Sequence, residues 1–186
     1  MLIEDETFTG PLKQHLQIAT YENCVFNSCD LSDADLSHMV FVDCIFNGCN
    51  TSMAKLHKTV FRDVQFKECK MLGLLFYQCQ EQGLALRVDD CNLSHSSFYK
   101  TKIRKTIFAR TQLNEVDFTE CDLHSAVFDH CDLAEAKFEN SLLEKADFRT
   151  AFHYSIDPAL NKIKKAKFSM AGIAGLLDKY DIEIEP

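Results

Sequence analysis

A period of five residues runs through most of this chain and restricts the fold more than any other feature. In "CDLHSAVFDHCDLAEAKF", residues 121–138, Leu123, Phe128, Leu133 and Phe138 stand five apart. Cys121, Ala126, Cys131 and Ala136 keep the same spacing, each two residues before a large apolar residue. A helix repeats every 3.6 residues and a strand every 2, so neither sustains this pattern. A fixed period over many copies points to small units that stack on one another.

The large apolar positions, or centres, run Tyr21, Phe26, Leu31, Leu36, Phe41 and Phe46. Thr51 is a weak centre, and Leu56, Phe61, Phe66, Met71 and Phe76 continue the series. A second phase starts at Val88 and reaches Phe148. Phe76 and Val88 are twelve residues apart, two more than two repeats need, so a two-residue insertion lies within 80–85, "QEQGLA". The cysteines test this frame independently. All nine (Cys24, Cys29, Cys44, Cys49, Cys69, Cys79, Cys91, Cys121 and Cys131) lie two residues before a centre position. Ala34, Ala54, Ala126, Ala136 and Ala146 occupy the same place, which therefore takes a small, apolar, inward-facing group.

"ADLSH" (34–38), "CDLSD" (29–33), "CDLHS" (121–125) and "ADFRT" (146–150) resemble the A(D/N)Lxx pattern of the pentapeptide-repeat family. The resemblance covers residues 19–152. It implies an all-β fold, a right-handed quadrilateral parallel β-helix with four pentapeptides per coil and a rise of about 4.8 Å per coil. Residues twenty apart then stack, or twenty-two apart across the insertion. One such column is Phe26, Phe46, Phe66, Val88, Phe108, Phe128 and Phe148; another is Leu36, Leu56, Phe76, Phe98, Phe118 and Phe138.

A solenoid needs both ends covered. Residues 1–18 fit the repeat poorly and are expected to cap the N-terminal end. In the segment 153–186, Pro158 marks a loop and "AKF" (166–168) gives one last unit. Ser169 can cap a short helix whose Ile173, Leu176, Leu177 and Tyr180 share one face, and "DIEIE" (181–185) alternates like an edge strand. This segment can simply cover the last coil. It also resembles the dimer module of the Qnr and MfpA-type topoisomerase-binding pentapeptide proteins. That resemblance implies a two-fold homodimer joined through Ile173, Leu176, Leu177, Tyr180, Ile182 and Ile184.

Catalytic and metal signatures are lacking. Cys–Cys spacings of five are repeat spacings rather than those of a zinc site, so the thiols are expected to be structural and no metal or cofactor is called for. His124 and His130 fall at outward positions with no positioned nucleophile near them in sequence. There is no Gly-rich phosphate loop, HExxH or GxSxG, and an enzyme is not expected. The start, "MLIEDETFTG", lacks the apolar run of a signal peptide, and no stretch reaches transmembrane length. With nine cysteines, this predicts a reduced, cytoplasmic protein.

Charge is the remaining signal. The whole chain carries −8. Residues 112–148 hold ten acids, Glu115, Asp117, Glu120, Asp122, Asp129, Asp132, Glu135, Glu139, Glu144 and Asp147, against Lys137 and Lys145, so 2 − 10 = −8. Spread over just under two coils, this is about 0.9 charge per Å, against about 0.6 for B-DNA. Asp117, Asp122, Asp132 and Asp147 precede a centre, where Asp serves local turn hydrogen bonds. The glutamates have no such role in the pattern. A basic stretch, "KTKIRKTIFAR" (100–110), precedes the acidic one. With the resemblance, these charges predict a DNA-mimicking binding protein of Qnr type that contacts DNA gyrase or topoisomerase IV and affects quinolone resistance. Its acidic surface would comprise Glu115, Asp117, Glu120, Asp132, Glu135 and Glu139, with no direct binding to nucleic acid or membrane. The alternative is a scaffolding repeat protein with an unrelated partner.

Overall fold

Each pentapeptide forms one side of a square coil, and the coils stack into a right-handed quadrilateral parallel β-helix. The computed structural model describes residues 1–12 and 16–184. Its strands are short: β1 Leu2–Glu4, β2 Thr7–Pro11, β3 Thr20–Glu22, β4 Val25–Asp30, β5 Val40–Val42, β6 Ile45–Asn47, β7 Val60–Arg62, β8 Val64–Lys67, β9 Leu86–Asp89, β10 Ile107–Ala109 and β11 Val127–Asp129. All pair in parallel. Face 1 is built from β1-β3-β5-β7 and face 2 from β2-β4-β6-β8-β9-β10-β11. Faces 3 and 4 are held by single bridges, one column running Asp30, Asn50, Lys70, Asn92, Gln112, Asp132 and Phe152, the other Leu75, Ser97, Asp117 and Lys137.

The register shows why the repeat has its phase break. Phe46 pairs with Phe66 at an offset of twenty, Phe66 with Val88 at twenty-two, and Phe108 with Phe128 at twenty again. Regular pairing persists to Gln80, whose N–H donates to the Thr59 carbonyl, and resumes where Val64 N–H donates to the Ala85 carbonyl. The extra chain projects as exposed Glu81, Gln82 and Gly83, and Gly83 (φ +86°) supplies a conformation other residues resist.

Inside, the centres stack face to face. In the first column Phe26 lies 4.5 Å from Phe46, and Phe128 lies 4.7 Å from Phe148, with planes within about 10°. In the second, Phe76, Phe98, Phe118 and Phe138 stack at 4.3–5.4 Å. Rings of the two columns meet edge-on, as Phe108 and Phe118 do at 72°. Eight cysteines are buried beside these rings, with all nine thiols free. Cys79 departs from the expected pattern: it is only half-buried, because it immediately precedes the insertion and lacks a regular corner above it.

The coil turns at its corners, and the backbone there is left-handed. The residue two past each centre has positive φ at nearly every corner, for example Glu115 (56°), Glu120 (55°) and Glu135 (57°). Its N–H donates to the next coil, as from Glu115 to the Ala134 carbonyl at 2.9 Å. The Asp or Asn before a centre accepts the N–H two residues on: Asp117 from Thr119, Asp122 from His124, Asp132 from Ala134 and Asp147 from Arg149. These carboxylates hold turns, as their place in the repeat predicts.

Both ends differ in detail from their expected form. The N-terminal segment is itself a coil: Ile3 pairs with Tyr21 and Phe8 with Phe26, at an offset of eighteen. Residues 13–15 of the anticipated cap lie outside the described residues. At the C-terminus, Ser169 Oγ accepts the Gly172 N–H at 3.1 Å, but no α-helix follows. The chain makes two 3₁₀ turns, Ile173–Leu176 and Asp178–Tyr180. Two glycines weaken α-helix, and both press on Tyr154; a Cβ at Gly175 would stand 2.0 Å from the Tyr154 carbonyl oxygen. The Gly175 carbonyl instead accepts the Ile156 N–H at 2.8 Å. Residues 181–184 form no strand, and residue 185 lies outside the described residues.

Candidate partner-binding surface

Square geometry decides which acids meet. Glu115 and Glu135 occupy successive coils of the corner between faces 3 and 4. Glu120 occupies the corner between faces 4 and 1, and one coil further Glu139 sits beside Asn140 there. Asp117 and Lys137 are neighbours in the column between these corners. Five of the six anticipated carboxylates therefore surround face 4. Asp132 does not join them; it sits in the face 3 column, bonded to the Ala134 N–H and to His153 Nδ1 at 2.8 Å.

Many of these acids already have partners from the coil before. Lys100 Nζ reaches Glu120 at 3.4 Å, and the Tyr99 hydroxyl reaches the same carboxylate. Arg104 holds buried Asp122 through Nε and Nη2, each at 2.6 Å. Glu115 meets His95 Nδ1 at 3.3 Å. Hydrogen bonds from Arg149 keep the Asp147 carboxyl below the usual range, and His130 does the same at Asp129. Glu135, Glu139 and Glu144 make no side-chain bond among the described residues. Glu135 and Glu139 are the exposed, uncommitted pair.

A second basic coil lies beyond the acidic one. Residues 149–167 hold Arg149, Lys162, Lys164, Lys165 and Lys167 against Asp157, so 5 − 1 = +4. The Lys145 N–H donates to the Lys164 carbonyl, and Lys167 Nζ approaches Asp147 at 3.6 Å. These lysines lie beyond the acidic segment singled out in the sequence, and the twenty-residue offset from Glu144 to Lys164 and from Asp147 to Lys167 is visible there. Arg104, Lys105, Lys145, Lys164 and Lys165 gather at the edge between faces 1 and 2, diagonally opposite Glu115 and Glu135. Glu144 interrupts this basic edge, beside Lys145 and one coil before Lys164.

Catalytic chemistry finds little support in this geometry. Burial pushes the Cys79, Cys121 and Cys131 thiols up to about 12, which keeps them protonated at neutral pH. Among the described residues, no three His, Cys, Asp or Glu side chains are grouped to hold a metal. No helix among them is long and apolar enough to cross a membrane. Of the anticipated dimer residues, Ile173, Tyr180, Ile182 and Ile184 are exposed. Leu176 packs partly against the chain's own core, and Leu177 is half-buried.

A sequence model described as a pentapeptide repeat region matches residues 19–88 and 84–148. The chain belongs to the pentapeptide-repeat family. Two trypsin-treated variants of QnrB1, described as a plasmid-mediated fluoroquinolone resistance protein, share this pentapeptide-repeat fold. The first overlays with a TM-score of 0.65 at 16% identity, covering 100% of both chains. The second gives 0.65 at 15% identity, covering 100% of this chain and 99% of the other. At these identities the likeness is one of fold. No curated protein sequence matches the chain.

Proposed function

We propose that this protein is a non-catalytic binding protein of Qnr type, whose partner is a type II topoisomerase (DNA gyrase or topoisomerase IV). The observation that carries this reading is the acidic face 4, where Glu115, Glu120, Glu135 and Glu139 stand on two corners of a rigid rod. Such a face attracts a basic, DNA-binding protein surface by charge, and the attraction weakens as salt screens it. The overlay with trypsin-treated QnrB1, described as a fluoroquinolone resistance protein, supports the choice of partner. An effect on quinolone action is part of the same proposal.

A scaffolding role with an unrelated partner is the second reading. It is favoured by the basic coils on both sides of the acidic one, at +5 over 100–110 and +4 over 149–167, since DNA presents no such bands.

The test is gyrase supercoiling titrated with this protein, with and without a quinolone. On the topoisomerase reading, wild-type protein changes supercoiling or its inhibition. Reversal of Glu115, Glu120, Glu135 and Glu139 to Lys abolishes the effect, while reversal of Glu4, Asp5 and Glu6 leaves it. Unchanged gyrase activity with wild-type protein, or equal loss from both sets, decides for the scaffold.

A further inference from the structure

The two-residue insertion opens the edge between faces 1 and 2 into a cleft of about 340 Å³. Three successive coils line it, with Asp63 on the first, Arg87 on the second, and Arg104 and Lys105 on the third. On regular coils the backbone closes this edge. The Asp43 N–H donates to the Arg62 carbonyl at 2.9 Å, and the Lys105 N–H to the His124 carbonyl at 2.9 Å. The equivalent N–H of Asp63 has no acceptor among the described residues, because the next coil leaves the edge through Glu81–Gly83. By analogy with its counterparts, that N–H points along the axis into the gap.

The cations around it are largely uncommitted. Arg87 and Lys105 form no ion pair among the described residues, whereas Arg104 is engaged with Asp122. Arg62 packs under the projecting turn, its Nε 3.2 Å from where a Cβ on Gly83 would stand. Asp63 is the one acid in the lining. A free backbone N–H beside Arg and Lys is a donor set suited to an oxyanion.

We propose that this cleft binds a phosphate monoester group, held by Arg87, Lys105 and the Asp63 N–H. Arg87 and Lys105 offer two uncommitted positive charges to a phosphate monoester, which is close to dianionic at neutral pH. The group comes from a free phosphate ester or from a phosphorylated side chain of a partner; the site reads the phosphate in either case. Asp63 opposes it and moderates the affinity.

Amide NMR of the full-length protein tests this, with inorganic phosphate, ribose 5-phosphate and a phosphoserine peptide as probes. We expect saturable shifts at Asp63 and Arg87, with a Kd on the order of 1–10 mM for inorganic phosphate. Arg87→Gln or Lys105→Asn should weaken binding at least about fivefold, and Asp63→Asn should tighten it about threefold. The Lys145 amide serves as an internal control, since it sits at the same edge beside Lys164 but is closed by its bond to the Lys164 carbonyl. A peptide that binds more tightly than both small probes assigns the source to a partner; equal affinities assign it to free esters. Shifts that fail to saturate, that survive Arg87→Gln and Lys105→Asn, or that match those at Lys145 overturn the site.

Discussion

Thr51 is the least suited residue of the core. It occupies a centre position among leucines and phenylalanines, and its Oγ1 is buried without a hydrogen bond. Thr51→Val keeps the shape and removes the orphan hydroxyl, and should raise stability by about 1 kcal/mol in urea unfolding. The corners carry a related lesson. Glu135 sits at φ 57°, a region that non-glycine residues adopt at a cost, and Asn tolerates it better. Glu135→Asn should leave stability unchanged or improve it, so any loss of partner binding in that variant reports on charge. The thiols give a third residue-level expectation. Native protein should label first at half-buried Cys79, and slowly even there because burial holds its thiol at about 12; the other eight should label only on unfolding. Rapid modification of the buried eight in folded protein would sink the inward assignment.

The C-terminal element is fastened at few points, and each can be broken separately. Gly175→Ala would drive a methyl group into the Tyr154 carbonyl, so the segment 169–184 should lift while the coils remain. Hydrogen exchange at the Ile156 amide, which bonds to the Gly175 carbonyl, reads this directly. Charge adds a second fastening, since Lys179 Nζ lies 2.6 Å from Asp157 Oδ1. The Lys179 hydrogen bond lowers the Asp157 pKa, and that of Asp157 raises the Lys179 pKa. The acid's contribution is therefore present above its unfolded value of about 3.9 and is lost as pH falls through the lowered folded value. The lysine's is complete below about 10.4 and is lost as pH rises through the raised one. Protection at Ile156, the exchange rate divided into the intrinsic rate at each pH, should be greatest between these limits and should lose that dependence in Asp157→Asn. The apolar spacing of Ile173, Leu176, Leu177 and Tyr180 was legible as an amphipathic segment. Its 3₁₀ form was not, because the close approach of Gly172 and Gly175 to Tyr154 joins residues about twenty apart in sequence.

At the scale of the rod, stability is a sum over neighbouring coils, and both charge and association follow from the stacking. Exposed Ile173, Tyr180, Ile182 and Ile184 lie at one end of the rod, and we propose that they meet a second copy there. Sedimentation at micromolar concentration should give a dimer, and truncation after Phe168 a monomer or an aggregate. A full-length monomer, or a soluble dimer after truncation, rejects this contact. The Lys162–Lys167 coil stands between the acidic coils and that end, so a dimer formed there would bring basic coils close to its centre. Binding through face 4 then takes place on each arm of the rod.

The five-residue period pointed to stacked units, and the resemblance to the pentapeptide-repeat family supplied their square, four-sided form. Each pentapeptide repeats the same inward pair, and a chain with that constraint at every side can only wind and stack. The spacing of the centres placed the phase break and the cysteines agreed with it, and the position before each centre marked Asp117, Asp122, Asp132 and Asp147 as turn residues. What tertiary structure alone decided is which side chains meet across coils. Glu115 and Glu135 become vertical neighbours, Glu120 falls to Lys100, Asp122 is taken by Arg104, and Lys167 approaches Asp147. A linear count of charge adds residues that the square coil sends to four different edges, so it could find the acidic segment but not the surface. The open edge at Asp63 is of the same kind: the insertion was visible in the sequence, while the N–H it strands lies one coil earlier.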